Sequence, residues 1–202
     1  AGLDGVQLHV AHGYFLNQTI SPKTNKREDR YGGTVENRML FIREIIRRIR
    51  EKLGNEFPLL MKLACKDGLP DGLLLEDSLE VAATAEKMGL DAVEISGGMR
   101  PGFNMRKPKK SEDEGFFLKE AEAFKQRLRI PVISVHGYRT FATMDELIDN
   151  GTIDMISLCR PLIREPDLVA QFRDGKKETA DCISCNLCVK KRQPLRCWAI
   201  EG

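Results

Sequence analysis

The sequence predicts an α/β chain built on a parallel sheet, and three observations carry that prediction. Strand-like and helix-like segments alternate along the chain, the strand-like runs are short and apolar, and glycines stand where helical periodicity stops. With 202 residues, the chain can bury one substantial core, as one domain or one domain with an appendage.

The elements follow in order. Gly5 to His9 reads as a strand, and a long polar loop succeeds it. Thr34 to Leu53 reads as one helix, because Leu40, Ile42, Ile45, Ile46, Ile49 and Leu53 recur at helical spacing, Thr34 can cap the start and Gly54 marks the stop. Leu59 to Leu63 is the next strand, Asp77 to Met88 a helix ended by Gly89, and Ala92 to Ile95 a strand. Phe116 to Leu128 is predicted helical, Pro131 to Val135 a strand, Thr143 to Asn150 a short helix and Met155 to Leu158 the fifth strand. Asp167 to Arg173 forms a terminal helix, and from Asp181 onward no periodicity survives. This repeat alone does not distinguish a closed barrel from an open sheet.

Composition excludes several function classes. The net charge is +2, and no basic stripe carries interleaved aromatics, so neither nucleic acid nor a membrane surface is indicated as a partner. Arg106-Lys-Pro-Lys-Lys110 is the dense basic patch and reads as a solvated loop. No apolar run approaches the roughly 20 residues that span a bilayer, and the N-terminus lacks the charged start and cleavage site of a signal peptide. A cytoplasmic location is expected. Ala1-Gly-Leu-Asp-Gly5 runs almost directly into a strand without an initiator methionine, so further upstream sequence is expected as well.

Two clusters carry chemistry. His9-Val-Ala-His12-Gly13-Tyr14 places two of the three histidines and a tyrosine at a strand end, where ligands sit in α/β folds. Imidazole and phenol suit the gripping and protonation of a substrate. Of the six cysteines, four crowd the tail as Cys182-x2-Cys185-x2-Cys188-x8-Cys197, enough thiolates for a [4Fe-4S] cluster or a tetrahedral zinc. The same spacing also suits a set of free thiols. The predicted division is therefore a β-α portion over 1–175 and a cysteine-rich tail over 176–202.

His9, His12, Gly13 and Tyr14, with Gln18, Ser21-Pro22, Asn25, Arg27, Asp29, Tyr31-Gly32-Gly33-Thr34 and Glu36-Asn37-Arg38, together resemble the signature of the Old Yellow Enzyme family, in its 2,4-dienoyl-CoA reductase-like branch. The likeness continues through Lys62, Gly97-Gly98, Val135-His136-Gly137 and Arg160-Pro-Leu-Ile163. The resemblance implies a TIM (β/α)8 barrel, of which the five strands correspond to the fourth through eighth, with FMN at their C-terminal ends and NAD(P)H as hydride donor. Open sheet edges in such a piece imply self-association or a partner supplying the N-terminal barrel half.

The resemblance also implies roles. His9 and His12 would hydrogen-bond the carbonyl of an enone or enoyl thioester, and Tyr14 would protonate the α-carbon. Lys62 would face the flavin's pyrimidine edge, while Gly137, Cys159 and Arg160 would hold its phosphate. Tyr31, Glu36, Asn37 and Arg38 would fix the long loop and cap the helix. His136 and Cys159 depart from the family pattern, which commonly has glycine at both positions. Multidomain relatives carry a cluster at the cysteines that relays electrons from an FAD domain to FMN, with three residues before the third cysteine where this chain has two.

The function expected is FMN-dependent NAD(P)H reduction of activated C=C bonds. The alternatives are a non-catalytic fragment with a metal-binding cysteine tail, and a phosphate-binding (β/α)8 enzyme without flavin.

Overall fold

In the computed structural model, residues 2–99, 113–189 and 194–200 are described. The basic run over 106–110 lies outside them. Five parallel strands, β1 (Val6–Val10), β2 (Leu59–Ala64), β3 (Ala92–Ser96), β4 (Val132–Val135) and β5 (Met155–Ser157), pair in simple sequence order. An order without reversal suits a barrel wall and gives no switch point of the doubly wound kind.

Helices cover one face of this sheet. They are α1 (Phe15–Ile20), α2 (Val35–Arg38), α3 (Leu40–Leu53), α4 (Leu75–Lys87), α5 (Leu118–Arg127), α6 (Phe141–Asp149), α7 (Arg160–Arg164) and α8 (Leu168–Arg173). Because strand side chains alternate, Leu59, Met61 and Leu63 point into the helix layer and are fully buried with Ile42, Ile46, Val81 and Phe124. Burying each such side chain contributes about 1.5–3 kcal/mol. The opposite face carries Gln7, His9, Lys62 and Glu94, brought together by the register His9↔Lys62 and Lys62↔Glu94.

Three helix assignments differ from the sequence expectation. The predicted helix from Thr34 breaks at Met39 into α2 and α3. Thr34 does cap the start, accepting from Asn37 N at 3.3 Å, and Gly54 ends α3 at φ 78°. Helices α1 and α7, of six and five residues, were not predicted, being too short to show periodicity.

The long loop after β1 is ordered by buried polar groups rather than apolar ones. Arg38, 7% exposed, donates to the carbonyls of Ile20 and Gly33 and pairs with Asp77. Asn25 Nδ2 bridges the carbonyls of Thr19 and Tyr31 at 2.6 and 2.7 Å. A Cβ on Gly32 would lie 1.8 Å from the Arg27 carbonyl oxygen, so no side chain fits there. Asp67, fully buried on the loop after β2, accepts from Ser21 Oγ and Leu73 N, locking two loops at the same end of the sheet.

Candidate active site

The C-terminal end of β1 delivers the first predicted cluster. His9 lies on the sheet face opposite the helices, and the chain then turns through His12 at φ 64° and Gly13 at φ 76°. A Cβ on Gly13 would meet Met99 Cγ at 2.8 Å, which explains glycine at this corner. The turn is held by Gly13 N donating to Asn17 Oδ1 at 2.7 Å. As a result the His9 ring lies 5.2 Å from the His12 ring and 5.3 Å from the Tyr14 ring, centroid to centroid. The three side chains singled out in the sequence therefore share one place, and Tyr14, 63% exposed, opens to solvent.

Four further groups complete this place without having been marked in the sequence. Ser96, at the end of β3, is 2.7 Å from His12 Nε2 through its hydroxyl. Glu94, two residues earlier on the same face and 4% exposed, pairs with Lys62 Nζ at 2.5 Å and accepts from Gln7 Nε2 at 3.0 Å. Ser157 of β5 also donates to Glu94. Their only sequence signal was polar residues at alternate positions of otherwise apolar strands, which does not distinguish a site from a solvated edge.

Electrostatics fix the protonation of the cluster. Burial, then the charges of His9 and Lys62, push His12 down to about 4, and burial with Lys62 lowers His9 too, partly countered by Glu94. Both imidazoles are thus neutral at pH 7, each with one N–H to donate and one nitrogen to accept. The 2.7 Å contact couples the Ser96 hydroxyl to the His12 tautomer, since Nε2 accepts from the hydroxyl when the ring proton is on Nδ1 and donates to it when the proton is on Nε2. Burial opposes ionisation of Glu94, but Lys62, Ser157 and Gln7 outweigh it and hold the carboxyl below its ordinary range. Lys62 is therefore half of a buried-edge ion pair rather than a lone cation.

At the far side of the sheet, His136, Gly137, Ser157, Cys159 and Arg160 line a cavity of about 60 Å³. His136 and Gly137 both adopt φ 95°, so the histidine holds a conformation normally left to glycine. The His136 ring lies 5.7 and 6.0 Å from the rings of Phe116 and Phe117, and its buried Nε2 has no hydrogen-bond partner among the described residues. Burial, then Arg160, His12 and Lys62, push it down to about 4. A guanidinium, a glycine turn and an orphaned ring nitrogen at one cavity are a donor set that fits a phosphate monoester. The residues present thus fit FMN in chemistry, with the exposed thiol of Cys159 as an added feature of the wall.

The tail cysteines gather without closing. Cys182, Cys185, Cys188 and Cys197 all line one small cavity with Arg160 and Arg164, and Arg164 Nη1 approaches Cys197 Sγ at 3.7 Å. Arg160 Nη1 donates to Asn186 Oδ1 at 2.7 Å, tying this loop to the phosphate-like cavity. Among the described residues, however, no three His, Cys, Asp or Glu side chains form a group set to hold a metal ion. The start of the tail packs on the β-α unit, with Ala180 buried against Tyr138, Met144, Leu168 and Phe172. No helix among the described residues is long and apolar enough to cross a membrane.

Comparison with known proteins shows the family. The family described as NADH:flavin oxidoreductase / NADH oxidase matches residues 1–179. The chain belongs to that family. A NADH oxidase of Thermoanaerobacter brockii is 35% identical over 93% of this chain and 29% of its own length. The 4,4'-dithiodibutanoate disulfide reductase of Rhodococcus erythropolis is 32% identical over 94% of this chain and 54% of its own length. Among solved structures, a 2-naphthoyl-CoA reductase in complex with 2-naphthoyl-CoA superposes with a TM-score of 0.82 at 30% identity, over 92% of this chain and 28% of that one. Morphinone reductase in complex with tetrahydroNAD gives 0.66 at 26% identity, over 88% of this chain and 45% of that one. The chain spans between about a quarter and about half of the length of these relatives. The five-stranded sheet is thus part of a TIM barrel of the Old Yellow Enzyme type, as the resemblance implied.

Proposed function

We propose that this chain carries the substrate-facing part of an FMN-dependent NAD(P)H oxidoreductase that reduces the activated C=C bond of an α,β-unsaturated carbonyl compound or enoyl thioester. The observation that carries the proposal is the convergence of His9, His12 and Tyr14 at the end of β1. Family membership, and a likeness to a protein solved with an aromatic acyl-CoA, support the substrate class.

When bound, FMN supplies the hydride for the substrate's β-carbon and is itself replenished by NAD(P)H. The side chains do the rest. His9 and His12, neutral at pH 7, each donate one N–H to the carbonyl oxygen and stabilise the negative charge that builds there. Ser96 holds the His12 ring through the hydrogen bond at Nε2. Tyr14 donates its phenolic proton to the α-carbon. Lys62 would hold the flavin's pyrimidine edge, and Arg160, with Gly137 and Cys159, which line one cavity, would hold the phosphate.

A test is reduction of the FMN-loaded protein by NADH followed by mixing with 2-cyclohexenone. Reoxidation of the flavin with formation of cyclohexanone is expected, and reoxidation by oxygen alone would refute the proposal.

A second reading has one observation in its favour, the four tail thiols on one cavity. In it the chain serves as a metal-binding segment, holding zinc or a [4Fe-4S] cluster at Cys182, Cys185, Cys188 and Cys197. Iron and zinc content after anaerobic purification tests it, and fewer than one metal site per chain would sink it. Among the described residues β1 and β5 each pair on one side only, so we further propose that preceding β-α units or a second copy complete the barrel wall.

A further inference from the structure

We infer that Glu94 is a positioning residue for Lys62, setting both where the ammonium lies and how much of its positive charge reaches the bound flavin. The inference rests on the flavin reading above, and three observations carry it beyond that reading.

First, the pair belongs to the sheet face that carries the site. Lys62 and Glu94 are register partners on β2 and β3, and the same face places His9 beside Lys62 and Ser96 two residues beyond Glu94. Second, Glu94 is pinned from three directions. Lys62 Nζ lies at 2.5 Å from Oε1, Gln7 Nε2 donates to Oε2 at 3.0 Å, and Ser157 donates as well. Those partners come from β2, β1 and β5, so the carboxylate ties together the interior of nearly the whole sheet. Third, Glu94 is 4% exposed, so water screens its charge poorly.

A lysine whose ammonium is fixed against a buried carboxylate differs from a free one in two ways. Its long side chain is held in one rotamer, and the pair presents a dipole rather than a full positive charge to anything bound above it. A full cation near the flavin favours the anionic reduced form. Glu94 therefore lowers the potential of the bound flavin below what an unpaired Lys62 would give, and Gln7 and Ser157 hold the carboxylate in place to do so.

The test is the midpoint potential of the FMN-loaded chain, measured by equilibration with a reference dye, for wild type, Glu94→Gln, Glu94→Asp and Gln7→Ala. Glutamine keeps the size and hydrogen-bonding capacity of the side chain and removes its charge. Glu94→Gln is expected to favour reduced over oxidised flavin about tenfold more than wild type does, an upward shift of about 30 mV. Glu94→Asp withdraws the carboxylate by one methylene, shifts the potential in the same direction by less, and serves where the glutamine variant does not fold. Gln7→Ala removes one neutral hydrogen bond from the carboxylate and shifts the potential in the same direction by less than Glu94→Gln does. An unchanged or lowered potential in the Glu94 variants, or an equal rise in Gln7→Ala, would overturn the inference. A wild-type chain that takes up no FMN would overturn the flavin reading itself, and the role of the pair with it.

Discussion

Replacing Ser96 by alanine separates a catalytic orientation from simple packing. The hydroxyl is 2.7 Å from His12 Nε2 and Ser96 is 3% exposed, whereas the His12 ring reaches solvent. Alanine fills nearly the same space, so the core loses little. What is lost is the bond that holds the His12 ring, a neutral hydrogen bond of about 1 kcal/mol net. That corresponds to about a fivefold change in an equilibrium constant. Burial is the leading cause of His12's lowered pKa, and His9 and Lys62 also remain, so the ring stays neutral at pH 7. The expected result is about fivefold weaker binding of an enone or phenol to the FMN-loaded protein, read from the flavin spectrum, with stability within about 1 kcal/mol of wild type. Unchanged affinity in Ser96→Ala, alongside a clear loss in His12→Ala, would show that Ser96 does not orient the imidazole.

Three other outcomes follow from the same geometry. Tyr14→Phe should slow reoxidation of reduced flavin by an enone about a hundredfold or more while leaving reduction by NAD(P)H nearly intact, since the phenol acts as proton donor in one half-reaction only; stopped-flow measurement showing equal loss in both halves would refute the role. Gly32→Ala must move backbone to relieve a 1.8 Å contact with the Arg27 carbonyl, so a loss of several kcal/mol in chemical denaturation is expected, and a change under about 0.5 kcal/mol would contradict the loop geometry. His136, pushed down to about 4, is neutral when folded and protonates more readily when unfolded, so its contribution to stability is full above about pH 6.5 and lost as pH falls toward 4. Denaturation midpoints should fall across that window, and His136→Asn should flatten the fall; an identical slope in the variant would argue against it.

How much was legible in the residues depended on whether a group's meaning was local. The strands showed as apolar runs because both Leu59-to-Ala64 and Ala92-to-Ser96 are buried on the helix side. The long helices showed as periodicity, whereas α1 and α7 are too short to repeat, and Tyr14, the residue before α1, offers no side-chain cap. The break at Met39 was hidden because the apolar pattern runs through it. In the site, His9, His12 and Tyr14 lie within six residues of each other and so could be seen together. Glu94 and Ser96 meet their partners only through strand pairing, 84 residues from His12 to Ser96 and 32 from Lys62 to Glu94, which no local pattern records. The thiol spacing was visible, but the arrangement around the tail cavity depends on Arg160 and Arg164 of α7, which sequence could not place.

The most direct measurement is a titration of the purified chain with FMN, followed by flavin fluorescence and the visible spectrum, with Arg160→Ala alongside. Saturable quenching at one FMN per chain, weakened at least tenfold in Arg160→Ala, is what the account predicts. No saturable binding, or binding indifferent to Arg160, would contradict the assignment of this sheet end as a flavin site.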